Sequence, residues 1–215
     1  MKFFAVVLLS TLLASSSSLP LSEAKCDVQN FIDCYDSYLH LFDLSISNFP
    51  SFEQYVQGKV AYLNVHGKEG VKTICDANGR LNSCIGPNSV DACAAASSFS
   101  DAFGISIAAA REFRSDFYIA NYDCGAGFND SMKYFDCFHG VYRTERAKLK
   151  KCQRDFNDSL KHGFQCSYLT TLMDCNTKIF EKRCGTGSDH FICNVIKTGI
   201  QANTHACDRE LPICP

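Results

Sequence analysis

Tryptophan is absent from this 215-residue chain, methionine occurs only three times and proline five times. A chain without tryptophan must fill its interior with another large side chain, and seventeen phenylalanines and nine tyrosines are present to do so. An excess of one charge is also missing, since twenty-one basic residues face twenty-three acidic ones for a formal charge of -2. With 46% apolar residues, that balance excludes a disordered segment, a polyanion and a polycation, and gives no electrostatic reason to expect a nucleic-acid partner. No stretch beyond the first residues is apolar for long enough to span a bilayer, which takes roughly 20 residues. No H-E-x-x-H, G-x-S-x-G or phosphate-loop pattern occurs.

What is abundant is cysteine. Fourteen thiols in a chain of this size are a liability where thiols stay reduced and make sense where they oxidise. The opening agrees. Lys2 precedes Phe3 to Leu9 and then Leu12, Leu13 and Ala14, a basic start and an apolar run of about a dozen residues with small residues after it. This reads as a secretory signal over 1–24, with cleavage after Ser16 or as late as Ala24, and every cysteine survives either cut. The C-terminal Leu211 to Pro215 is no lipid-anchor tail. A secreted, extracellular protein is expected, and the sequons Asn129-Asp130-Ser131 and Asn157-Asp158-Ser159 offer glycosylation sites.

Apolar periodicity is helical almost throughout, and the expected class is all-α. Phe31, Cys34, Tyr35, Tyr38, Leu41 and Phe42 form a first face that stops before Pro50. Ser51 and Gln54 read as a capping box opening a helix that ends near Gly67, followed by a short segment from Glu69 to Leu81. Asn88 or Ser89 caps an alanine-rich stretch running through Gly104 toward Phe117. After a glycine loop at 125–127, one helix is expected from Met132 to Leu160, another from Thr170 to Arg183 closed by Gly185, and a last one capped by Ser188. The mature chain, 25–215, reads as one cysteine-rich helical domain with possible halves 25–120 and 121–215.

Cysteine spacing sharpens the class. Cys75, Cys84 and Cys93 are spaced by nine, as are Cys166, Cys175, Cys184 and Cys193. Nine helical residues turn about 900° and rise about 13.5 Å, so such neighbours face opposite ways. A disulfide needs Cα atoms within about 7 Å, so each must reach a different flanking segment wherever the chain between is helical. Only Cys184 and Cys193, with Gly185 and Gly187 between them, escape that restriction. Together with Cys26, Cys34, Cys124, Cys137, Cys152, Cys207 and Cys214 they specify a compact stack of helices held by up to seven bridges, whose pairing the sequence leaves open. The first series recurs with Cys75 answering to Cys166 and Leu81 to Leu172, which fits either duplication or coincident helical spacing.

Phe31-Ile32-Asp33-Cys34, Tyr134-Phe135-Asp136-Cys137, Leu172-Met173-Asp174-Cys175, Tyr122-Asp123-Cys124-Gly125, Cys152, and Cys184-Gly185 before a final helix give the mature chain a recognisable rhythm. In that rhythm it resembles the secreted cysteine-rich proteins of nematodes, especially the helical domain of unknown function nineteen. The resemblance implies an extracellular, disulfide-linked, all-helical domain and carries no activity over to any residue. An eggshell chondroitin proteoglycan core is disfavoured, because no Ser-Gly dipeptide exists to carry such a chain.

Chemistry is harder to find. Cys137-Phe138-His139 puts thiol and imidazole on separate helix faces, and the adjacent Ser188-Asp189-His190 diverge by about 100° per residue, so neither reads as catalytic. The histidines at 40, 66, 139, 162, 190 and 205 never fall four apart, and no metal or other cofactor is expected. Asp101, Glu112 and Asp116 could approach one another, but no acid–base pair is assigned. The most specific surface feature is basic. Arg143, Arg146, Lys150 and Arg154 fall within about 80° of one helical arc, with Lys148 and Lys151 nearby, while Tyr142, Leu149, Cys152, Phe156 and Leu160 fill another arc. The stripe is either a solvated face or a site for polyanions. Phe99, Phe103, Phe113 and Phe117 either fill a core or line a pocket for an apolar ligand. The reading is a protein that acts by binding, without catalysis, as an extracellular interaction or matrix component, with a carrier of lipid or another apolar molecule as the alternative.

Overall fold

Side chains that recur at three- and four-residue steps bury one stripe of each helix, and in the computed structural model, which describes residues 25–215, they do so in nine α-helices with no strand among the described residues. The expected leader, 1–24, lies outside the described residues. The chain divides into two compact units, one reaching to Phe117 and the other running from Tyr118 to Pro215.

In the first unit α1, Val28–Leu39, starts where the Asp27 carboxylate accepts the Asn30 amide at 3.1 Å. It buries Phe31, Cys34, Tyr35, Tyr38 and Leu39. It ends a turn before the expected Phe42, because His40–Phe42 tighten into a 3-10 turn and Asp43 takes a left-handed φ of 57°. Helix α2, Phe52–Ile85, opens with the expected capping box: Gln54 donates its amide to Ser51 Oγ at 3.2 Å and Ser51 donates its own to Gln54 Oε1 at 2.8 Å. Gly67 breaks it where a helix end is expected: with φ 55° and ψ -137° the glycine leaves helical geometry, and α2 is two limbs meeting at a kink, the second containing the expected segment from Glu69. The alanine-rich stretch is three helices: α3 (Val90–Cys93), α4 (Ala96–Phe103) and α5 (Ile107–Cys124). Ala95 is extended and Gly104 has φ 63°, which breaks the expected continuity.

Aromatic rings fill this unit. Phe31 meets Phe99 edge-on at 5.1 Å, Tyr35 meets Phe99 at 5.3 Å, Phe49 stacks on Phe103 at 4.1 Å and touches Phe113 at 5.0 Å. Phe99, Phe113 and Phe117 are buried. The rings engage one another, and the core-filling reading of these phenylalanines is the one their packing supports.

The second unit holds α6 (Phe128–Thr144), α7 (Arg146–Leu160), α8 (Cys166–Cys184) and α9 (Ser188–Asn203). Its core centres on Phe138, stacked on Phe191 at 5.2 Å and edge-on to Phe180 at 5.4 Å. The single helix expected over 132–160 is two, because Glu145 leaves helical geometry at φ -105°, ψ 11°. No helix among the described residues is long and apolar enough to cross a membrane.

Every cysteine is oxidised, Cys75 and Cys124 included. In the first unit Cys26 bonds Cys93 and Cys34 bonds Cys84, one bridge nested inside the other. In the second, Cys152–Cys175 is nested inside Cys137–Cys184, and Cys166–Cys207 and Cys193–Cys214 hold the tail. None of these bridges joins cysteines nine apart, as the helical geometry requires. The bridges also correct the apparent repeat. A helix bearing aromatic, Asp, Cys and aromatic in turn (Phe31, Asp33, Cys34 and Tyr35; Tyr134, Asp136, Cys137 and Phe138) is bonded in each unit to the end of a long helix stopped by glycine. Cys84 therefore answers to Cys184, and not to Cys175 as the sequence offset suggests.

Candidate functional site

The break between α6 and α7 builds the most distinctive surface of the second unit. Glu145 donates its amide to the Val141 carbonyl at 2.8 Å, closing α6, and its carbonyl accepts the amides of Lys148 at 2.9 Å and Leu149 at 3.1 Å, opening α7. One residue thus terminates one helix and starts the next. Helix α7 turns Cys152 and Phe156 inward and leaves Arg146, Lys148, Lys150, Lys151 and Arg154 exposed.

Of the four residues expected to share one arc, Arg146, Lys150 and Arg154 do so on α7. Arg143 lies before the break, exposed near the end of α6, so it reaches the surface from a different helix. Lys148 pairs with Glu145 at 2.6 Å and Lys151 with Asp155 at 2.5 Å. Arg154 is close enough to Asp158 to help hold its carboxyl low, behind the dominant hydrogen bond from Lys161. Arg143, Arg146 and Lys150 make no ion pair or hydrogen bond among the described residues.

Two further cations join from α8, which sequence spacing does not suggest. Cys152 is bridged to Cys175 with Cα atoms 5.8 Å apart, and the loop between α7 and α8 is short, so the helices run antiparallel. Seven residues back from Cys152 lies Glu145, and seven forward from Cys175 lies Lys182. Accordingly the Glu145 carboxyl is held below its ordinary range first by the Lys148 hydrogen bond and then by the charges of Lys148, Arg183 and Lys182. Both Lys182 and Arg183 are exposed. Cations from two helices, Lys148 on α7 and Lys182 and Arg183 on α8, therefore act on a single carboxylate.

The sequons lie on helix surfaces: Asn129 is exposed in the first turn of α6, and Asn157 is exposed on α7, where its side-chain oxygen accepts from Gln153 at 3.1 Å.

The residue types of a catalytic triad at 188–190 point three ways. Buried Ser188 donates its hydroxyl to Gly185 O at 2.7 Å, Asp189 accepts the Gly187 amide at 2.8 Å, and His190 Nδ1 meets the Pro215 carbonyl. Cys137 is bonded to Cys184, and His139, half-buried against the Phe135 ring at 4.3 Å, has its pKa lowered by burial. No metal-holding group of His, Cys, Asp or Glu occurs among the described residues.

A second polar cluster escapes the sequence. In the first unit Tyr55 donates to Asp116 Oδ2 at 2.7 Å, and Lys59 Nζ lies 2.9 Å from both Asp116 oxygens. The Tyr38 hydroxyl stands 3.4 Å from that of Tyr55. Burial pushes the phenols of Tyr35, Tyr38 and Tyr55 above their ordinary value, with the Asp116 charge adding to it. Glu112, on the same helix as Asp116, is raised by burial alone. The phenols stay protonated donors, so the cluster anchors α5 to α2. Asp116 is visible in the sequence, but nothing there joins it to residues almost sixty positions earlier.

No family model, curated protein or solved structure matches the chain.

Proposed function

We propose that this chain is a secreted, disulfide-stapled helical protein that acts by binding and not by catalysis, as an extracellular protein-interaction or matrix component of the kind its nematode-like cysteine rhythm suggests. The observation that carries the reading is the complete oxidation of fourteen cysteines, a state that persists in oxidising compartments and leaves no thiol for nucleophilic chemistry. The diverging Ser188, Asp189 and His190 side chains support it. Mutual packing of the Phe99, Phe103 and Phe113 rings favours an interaction domain over a carrier of apolar molecules. Native mass spectrometry of the protein recovered from its own secretions tests the proposal. A co-purifying protein or matrix component is the expected result. Co-purified lipid overturns it in favour of a carrier, and recovery from inside cells with the leader attached overturns it altogether.

A further inference from the structure

The α6–α7 corner has an unusual electrostatic makeup for a chain that is slightly acidic as a whole. Arg143, Arg146 and Lys150 are exposed and make no ion pair or hydrogen bond among the described residues, and Lys182 and Arg183 reach Glu145, the residue just before Arg146, from the antiparallel α8. Glu145 at this corner is already bonded to Lys148. Along α7, Arg146 and Lys150 are one turn apart, about 6 Å of rise, and form a short row, with Arg143 exposed at the end of the preceding helix. A row of like charges fits a linear polyanion better than a compact one. Arginine adds a planar fork of donors that meets two oxygens of one sulfate or phosphate at once.

Three kinds of polyanion could be drawn to such a row, and the surface chooses among them. Membrane docking by a basic helix uses exposed apolar side chains beside the charges. The exposed large apolar residues among the described residues are Val28, Val65, Ile107 and Ile213, none of them on α6, α7 or α8. Single-stranded nucleic acid is held by exposed aromatic rings interleaved with the charges, and none is present here. A charged polysaccharide needs neither, because its recognition rests on sulfate groups at intervals along a chain.

We propose that the corner formed by Arg143, Arg146, Lys150, Lys182 and Arg183 is a docking site for a linear sulfated polysaccharide. The inference rests on the extracellular binding role proposed above and names the class of partner for it. Arg154 stands outside the site because a glycan on Asn157, one turn along, would cover that end of the row.

The test uses the full oxidised chain on two columns of fixed negative charge, heparin and sulfopropyl. The unaltered protein is expected to elute from heparin at higher salt than from sulfopropyl. The double variants R146E/K150E and K182E/R183E should each lose retention on heparin at physiological salt, whereas K68E/K72E, which alters total charge equally in the other unit, should keep it. Circular dichroism and thiol titration check that each variant is folded and oxidised, and R146Q/K150Q, expected to weaken retention in the same direction, replaces the reversal if that variant misfolds. Equal elution from both columns, equal loss in K68E/K72E, or an effect of only one corner pair overturns the site. So does displacement of heparin by vesicles containing phosphatidylserine or by single-stranded DNA. A secreted, oxidised chain that ignores heparin defeats this inference alone. A chain retained inside the cell defeats the binding role as well, whatever its elution.

Discussion

Tyr55 on α2 donates its hydroxyl to the carboxylate of Asp116 on α5, 2.7 Å away, and Lys59 neutralises the same carboxylate from one turn along α2. The acceptor is charged and largely shielded from water, which puts this hydrogen bond among the stronger ones. Removing the phenol oxygen in Tyr55→Phe should lower unfolding free energy by about 2 kcal/mol. Asp116→Ala should cost more, about 3 kcal/mol, because it strands the half-buried Lys59 ammonium. Chemical denaturation of the oxidised protein measures both, and a silent Asp116→Ala would show that the cluster does not hold α5 to α2.

The same burial predicts an alkaline limit. Tyr35, Tyr38 and Tyr55 have folded pKa values above the ordinary 10.0. Their neutral forms therefore stabilise the folded state fully below about pH 10, and that contribution is lost as pH rises toward the folded values, since the unfolded phenols ionise first. In a near-ultraviolet titration Tyr35, Tyr38 and Tyr55 should ionise only together with the loss of helical circular dichroism.

Two glycines of α2 should respond to alanine in opposite directions. Gly67 meets no neighbouring atom, but its φ of 55° with ψ -137° is closed to other residues, so Gly67→Ala should destabilise by about 1–3 kcal/mol. Gly79 sits exposed in regular helix with open space around it, and Gly79→Ala should stabilise by about 0.5–1 kcal/mol. Paired thermal melts compare them directly.

Bridges spanning more chain should matter more. Cys34–Cys84 spans 50 residues and Cys193–Cys214 spans 21, which in the chain-entropy picture correspond to about 4 and about 3 kcal/mol before the other bridges reduce both. Cys34 and Cys193 are both buried, so lost packing adds to both and the loop length separates them. Replacing each pair by serine and measuring denaturant midpoints should rank Cys34–Cys84 as the costlier loss.

Some helix ends are legible from local signals. Ser51 with Gln54, and Gly185, mark boundaries by chemistry that acts within a turn, and the structure uses them there, whereas Gly104 ends a helix that the sequence pattern carries through it. Glu145 carries no such mark. A helix-favouring residue breaks the pattern because α7 must swing to lay Cys152 against Cys175, a demand made from outside the segment. The candidate site divides the same way. The basic run on α7 is read directly, whereas Lys182 and Arg183 join it only through an antiparallel pairing that spacing does not encode. The Tyr55–Asp116 contact, between distant segments, leaves no periodic trace at all.

The nesting of the bridges bears on how the molecule is made. None of the six bridges described joins cysteines that follow one another along the chain, so an oxidant that coupled each thiol to the next as the polypeptide emerged would produce the wrong molecule. Cys26 and Cys34 must wait for Cys93 and Cys84 to be synthesised. Correct maturation therefore requires either that oxidation wait until distant segments are in place or that early mispaired links be exchanged.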